Sequence, residues 1–111
     1  MLSVGGANML KTKARDIESM VRIRLNVHFK GFDVISFDVD VVDDELVIGV
    51  YSTGAYERRL SIRRASSMEN IPTDIKKHIY TYICYLVRDN VKGSMFKSVD
   101  INKVMTIKFS L

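Results

Sequence analysis

The chain has 111 residues, of which 47% are apolar and 27% charged, and its 17 Lys and Arg against 13 Asp and Glu give a net charge of +4. This length suits one folded domain, and the apolar fraction argues against wholesale disorder. The single cysteine, Cys84, excludes an intramolecular disulfide and a multi-cysteine zinc site. The basic excess indicates little by itself, because residues 31–55 carry six acidic residues and no basic one.

The sequence shows no signal for a membrane or for secretion. No apolar run reaches the ~18–20 residues that a membrane-spanning helix needs. The first basic residue is Lys11, so the basic start and continuous apolar stretch of a secretory signal are both missing. We therefore expect a cytoplasmic protein with no membrane partner, in which the free thiol of Cys84 stays reduced.

A short amphipathic helix is expected over 8–19, within an N-terminal arm that spans 1–19. Asn8 is a typical N-cap residue for such a helix. Its apolar positions, which recur at helical spacing, are Leu10, Ala14 and Ile17.

From residue 20 the spacing of the apolar residues changes to every second position, which is typical of a half-buried β-strand. The alternation covers 21–29, stops at Gly31 and resumes over 35–41, so it predicts a hairpin. If both apolar sets face one core, Val27 pairs with Ile35. The same register places opposite charges across from each other on the outer face, Arg24 with Asp38 and Arg22 with Asp40.

Two further alternating stretches, 45–52 and 56–64, extend the hairpin to a four-stranded antiparallel meander over 20–64. Turns are expected at 43–44 and 53–55, where the alternation is interrupted. One face of this meander is apolar and faces the core, and the other faces water. The outward residues of interest are Arg22, Arg24, Tyr51, Arg59 and Arg63.

A long helix is predicted over about 73–92, because Pro72 favours a helix start and Gly93 a helix end. Its apolar stripe consists of Ile75, Ile79, Ile83, Leu86 and Val91. The segment 79–87 is also rich in residues that favour strands, so the sequence leaves a strand open there.

The chain ends with an alternating stretch over 105–111, which predicts a strand at an edge of the sheet, and 99–101 is a further candidate strand. These elements define an α+β fold in a single domain of 1–111. The meander is packed by one long helix within 72–93, the C-terminal strand region of 95–111 returns to the sheet, and a short helix precedes them.

The sequence lacks the residue patterns that catalysis requires. It has no Gly-rich phosphate loop, no Gly-x-Ser-x-Gly and no His-Glu-x-x-His motif. His28 and His78 are fifty residues apart, and Cys84 lies in the most apolar part of the chain, where a thiol is inert. Asp38 and Asp40, about 6–7 Å apart on one strand face, suit a cation, but the facing arginines are expected to neutralise them. We therefore expect no enzyme, no cofactor and no metal.

Three tyrosines on the predicted helix, Tyr80, Tyr82 and Tyr85, are the candidate functional residues. Together with the isoleucines beside them they give the helix more apolar and aromatic surface than one sheet face covers. The excess surface predicts a small non-catalytic binding or regulatory protein that acts through a protein interface, with a protein partner or a second copy as a homodimer. The C-terminal edge strand is a second expected contact.

The alternative function is binding of single-stranded DNA or RNA by the outer face of the meander. Arginines on such a face neutralise phosphates, and a tyrosine stacks on bases. The residues predicted for this role are Arg22, Arg24, Tyr51, Arg59 and Arg63.

Overall fold

The computed structural model describes residues 2–31, 35–52, 56–57, 62–63, 71–101 and 104–111, with side chains described in these ranges except for 2–12, 56–57 and 62–63. Within them the chain forms two helices, α1 (Leu2–His28) and α2 (Thr73–Asn90). The strands are β1 (Ile35–Val42), β2 (Glu45–Ser52), β3 (Tyr56–Glu57), β4 (Ile62–Arg63), β5 (Met95–Ile101) and β6 (Met105–Ser110).

The main sheet has four antiparallel strands in the order β1-β2-β6-β5, and both helices contribute to the core on one of its faces. The predicted α+β class, with a helix packed on an antiparallel sheet, is confirmed. Alternate residues of each strand point to this core face. The fully buried members from the sheet are Val39, Leu46, Ile48, Val50, Met105 and Ile107, and those from the helices are Val21, Leu25, Ile79, Ile83 and Val87.

Residues 21–28 are helical and Phe29 follows in a turn, so the prediction of a strand over 21–29 is wrong. They form the C-terminal part of α1, a helix of 27 residues, so the predicted short helix over 8–19 is only part of a longer one. Val21, Leu25 and Phe29 are buried at four-residue spacing. The intervening Ile23 and Val27 are 62% and 70% exposed, respectively. Apolar residues at every second position contain a four-residue repeat, so the pattern fits a helix as well as a strand.

The predicted hairpin between 21–29 and 35–41 is therefore also wrong, together with its register and its ion pairs of Arg24 with Asp38 and Arg22 with Asp40. The guanidinium of Arg22 instead donates a hydrogen bond of 2.9 Å to the carbonyl oxygen of Val39. One turn earlier, the carboxylate of Glu18 accepts a hydrogen bond of 2.8 Å from the amide of Val41. Two polar side chains of α1 thus occupy backbone groups at the outer edge of β1.

The hairpin of β1 and β2 is confirmed. These strands pair along their full length, from Ile35 with Ser52 to Val42 with Glu45. The two residues that connect them, Asp43 and Asp44, have φ angles of 49° and 60°. Positive φ at both central residues is the geometry of a type I′ turn, whose twist matches that of the two strands.

The meander does not continue beyond β2 as predicted. The predicted strand over 56–64 contains two short strands, β3 and β4, which pair with each other in a separate two-stranded sheet. Residues 53–55, 58–61 and 64 lie outside the described ranges. The second neighbour of β2 is β6, with Ile48 opposite Ile107.

The prediction of a helix over 73–92 is confirmed by α2, and the strand alternative for 79–87 is wrong. One stripe of α2 is buried against the sheet, and it consists of Ile79, Ile83, Leu86 and Val87.

The C-terminal strands are confirmed as β6 and β5, but the prediction that 105–111 lies at a sheet edge is wrong. β6 lies inside the sheet and β5 forms its edge. That the chain is one domain stays a prediction.

Candidate protein interface

The edge strand β5 is the most exposed strand of the main sheet. All seven of its residues are exposed, including the apolar Met95, Phe96, Val99 and Ile101. An edge strand presents backbone N–H and C=O groups that pair readily with another strand. The opposite edge is different, since Glu18 and Arg22 of α1 bond to the outer backbone groups of β1.

Apolar side chains of β5 continue the core face of the sheet beyond the helices. Phe96 pairs with Phe109, Val99 with Ile107 and Ile101 with Met105, so the three β5 residues share a face with three buried residues of β6. The β5 residues are exposed although this face is otherwise the core. They form an apolar surface at the margin of the sheet of the kind that interfaces cover.

A groove of about 700 Å³ lies between α2 and β5. Tyr80 forms one wall, half-buried and edge-on to Phe96, with ring centroids 6.1 Å apart. Tyr85 lies at the rim with 56% of its surface exposed, and the guanidinium of Arg88 is 5.4 Å from its ring centroid. Two of the three predicted tyrosines therefore line one concave apolar surface beside the open edge.

Cys84 lies in the same groove between these tyrosines, and its side chain is half-buried. Burial raises the pKa of the Cys84 thiol, and a hydrogen bond with Tyr80 lowers it by a smaller amount. A raised pKa keeps the thiol protonated near neutral pH, when it is a poor nucleophile. In this position the thiol acts as a small apolar part of the groove wall.

A β-bulge and an ion pair of β5 both lie at Lys97. The register against β6 shifts between Phe96 and Ser98, so Lys97 is the extra residue of a β-bulge. Its ammonium pairs with the carboxylate of Glu45, and this hydrogen bond is the largest cause of the lowered pKa of Glu45. The regular part of the open edge begins after this bulge, at Ser98.

Tyr82 lies away from the groove, on another side of α2. Its ring stacks on the ring of His28 with centroids 3.6 Å apart and an angle of 7° between the planes. Phe29 meets the same tyrosine edge-on at 5.5 Å. Tyr82 therefore links α2 to the end of α1, and the three predicted tyrosines do not form a single surface.

The residues predicted to bind nucleic acid do not share one surface where the structure describes their side chains. Arg22 and Arg24 lie on α1 and not on the sheet, which is a correction that follows from the helical state of 21–28. Tyr51 is exposed on β2. Arg63 is in β4, where side chains are not described, and Arg59 lies outside the described ranges. The structure does not bring the two helical arginines onto one sheet face with Tyr51, and nucleic-acid binding stays a prediction.

One contact between two titratable side chains was not predicted from the sequence. The Nε2 atoms of His28 and His78 are 3.3 Å apart, although fifty residues separate them. No local pattern predicts this contact, since it depends on the packing of α1 against α2. Because His28 was predicted to lie on a strand, no contact was expected between it and the predicted helix that carries His78.

The pKa of His28 is held below its ordinary value, first by burial and second by the charge of His78. The His28 residue is exposed as a whole, but Tyr82 covers one face of its ring. A lowered pKa means that the unfolded chain binds more protons than the folded chain as the pH falls through about 6.5.

We therefore expect the free energy of unfolding to decrease as the pH is lowered from about 7.5 to about 5.5, the range in which histidine titrates. The variant His28→Gln should show a shallower decrease, because it removes the group that resists protonation. Urea unfolding at several pH values measures both slopes. Equal slopes in the two proteins would contradict a lowered pKa of His28 in the folded chain.

Neither helix, over the ranges that the structure describes, is long and apolar enough to cross a membrane. In the same ranges, no three or more His, Cys, Asp or Glu side chains are grouped so that they could hold a metal ion. Comparisons of the chain with models of protein families, with curated proteins and with solved structures found no match. The functional interpretation is therefore based on the geometry alone.

Proposed function

We propose that this is a small non-catalytic binding or regulatory protein that acts through a protein interface formed by β5 and the groove beside α2. The observation that carries the proposal is the edge strand β5, which pairs only with β6 among the residues that the structure describes and exposes four apolar side chains. Main-chain pairing supplies affinity at such an edge, and the groove with Tyr80 and Tyr85 supplies contacts for side chains. The cytoplasm remains the proposed location.

The partner that fits this surface is a second copy of the chain. Pairing of β5 with its own copy joins two four-stranded sheets and covers the exposed Phe96, Val99 and Ile101 on both sides. The contact is symmetric and ends at a dimer, because α1 occupies the outer edge of β1 in each copy. A two-fold interface uses the same surface of both copies, and an exposed strand edge can pair with itself in this way.

We place the two-fold axis of this dimer at Val99, an exposed apolar residue in the regular part of β5. In an antiparallel pair about a two-fold axis, the residue at the axis lies opposite itself. The Val99 side chains of the two copies therefore face each other across the interface.

A cross-linking experiment tests the proposal. In a Cys84→Ala background, Val99→Cys should form a disulfide-linked dimer on mild oxidation, because directly opposite residues have Cα atoms about 4.5–5.5 Å apart. The matched control is Val42→Cys on β1, since Val42 is 54% exposed and Val99 only 37%. At micromolar chain concentration we expect the Val99 variant to cross-link at least about tenfold faster, since the dimer raises the local thiol concentration. Non-reducing electrophoresis over time measures both rates.

Equal rates for the two cysteine variants would contradict the dimer. A second measurement uses no cysteine chemistry, since sedimentation velocity of the unaltered chain at tens of micromolar should show a dimer. Val99→Lys should give a monomer, because it places two like charges opposite each other at the axis. Its far-ultraviolet circular dichroism spectrum should be unchanged. A chain that is monomeric at every concentration would rule out the second copy as the partner.

A further inference from the structure

The contact between the two histidines has the dimensions of a metal site. The Nε2 atoms of His28 and His78 are 3.3 Å apart. Two imidazole nitrogens that bind one tetrahedral Zn²⁺ at about 2.0–2.1 Å are separated by ~3.3–3.4 Å. Both residues are exposed, so a cation from solution has access to the two nitrogens.

We propose that His28 and His78 bind a divalent transition-metal cation of the zinc class through their Nε2 atoms, with water in the remaining positions. Imidazole is the ligand type that suits Zn²⁺, Cu²⁺ and Ni²⁺. With two protein ligands, the other coordination positions of the cation stay accessible to water or to a further ligand. The inference is independent of the proposed interface, because neither histidine lines the groove or belongs to β5.

Aromatic neighbours hold both imidazole rings in place. Tyr82 stacks on His28, and Phe29 meets the ring of His28 edge-on at 4.7 Å and the ring of His78 at 5.5 Å. Side chains that are already ordered lose less entropy when a ligand binds. The metal would therefore meet two nitrogens whose separation is set by the packing of two helices.

The charges around the two histidines have both signs. His28 is the last residue of α1, and the C-terminus of a helix carries a partial negative charge. Asp74 lies one turn before His78 on α2, on the same side of the helix. Arg24, one turn before His28 on α1, opposes these effects, as do the sequence neighbours Lys30 and Lys77. The proposal is therefore based on the distance between the two nitrogens and not on the surrounding charge.

Calorimetric titration with zinc chloride near neutral pH tests the site. We expect one Zn²⁺ per chain, with affinity at least about tenfold lower in His28→Gln and in His78→Gln, since each variant removes one of two ligands. The control Cys84→Ala, which removes the only thiol, should bind as the unaltered chain does. Circular dichroism of each variant establishes that it is folded. Zinc binding that is equal in the unaltered chain and in the two glutamine variants would overturn the proposal.

A second measurement needs no variant. In electron paramagnetic resonance with Cu²⁺, the unaltered chain should show coupling to two imidazole nitrogens, and the signal should weaken at about pH 5.5, where histidine is protonated. Coupling to one imidazole or to none would show that the pair does not act as a joint site.

Discussion

Replacing Leu25 by alanine is expected to lower the free energy of unfolding by about 2–5 kcal/mol. Leu25 lies on α1 and is fully buried in the core. The loss combines the apolar surface returned to water with the cavity that remains, because the neighbouring side chains cannot fully collapse into the space.

The matched control is Val27→Ala, two residues further along the same helix. Val27 is 70% exposed, so this variant should change the free energy of unfolding by less than about 0.5 kcal/mol. The change can even be favourable, because alanine has a higher helix propensity than valine. Urea unfolding of the three proteins at one chain concentration gives both differences. A strand over 21–29 would bury Leu25 and Val27 together, so similar losses would contradict the helix.

The second large effect is expected at the strand inside the sheet. Ile107→Ala should lower the free energy of unfolding by about 2–5 kcal/mol, because Ile107 is fully buried on β6. It lies opposite Ile48 on one side and Val99 on the other, so the cavity affects three strands.

The control for this prediction is Ile23→Ala on α1, where the same residue type is 62% exposed. Its effect should stay within about 0.5 kcal/mol. Thermal and urea unfolding under identical conditions measure the difference. If 105–111 were an edge strand with half its surface in water, Ile107→Ala would cost much less than the buried value, and the order β1-β2-β6-β5 would be wrong.

Several elements were predicted correctly from the spacing of their apolar residues. Ile79 and Ile83 mark the buried stripe of α2, and the alternation over 35–41 and 45–52 marks β1 and β2. The segment 21–29 alternates in the same way but was predicted wrongly, because alternation also contains the four-residue spacing of a helix. A helix that had already begun before residue 21 can extend without a new nucleation cost, which favours the helical outcome there.

The order of the strands depends on contacts between distant parts of the chain. The alternation over 105–111 predicts a strand but not its neighbours, so its position between β2 and β5 was not predicted. The local pattern of 56–64 likewise does not indicate that β6, and not this segment, is the neighbour of β2. Sequential strands are neighbours more often than not, and that tendency favoured the wrong meander.

The three tyrosines predicted for the interface lie in two different places, and their role stays a prediction. The excess of aromatic surface on α2 indicates Tyr80 and Tyr85, and both line the groove. The same excess indicates Tyr82, but this residue packs on His28, and the position of α1 cannot be read from the local pattern. The open edge was expected in the C-terminal region, yet it belongs to 95–101, whose exposed apolar residues do not alternate regularly across the bulge at Lys97.

The pairing of β2 with β6 has a consequence for how the chain folds. Residues 45–50 pair with residues 105–110, so more than half the length of the chain separates the two strands. Contacts between such distant segments form late, because a long loop must close before they stabilise the fold. The hairpin of β1 and β2 can assemble early, and it then exposes Leu46, Ile48 and Val50 without their final neighbour. In refolding experiments, aggregation should therefore begin from this early hairpin.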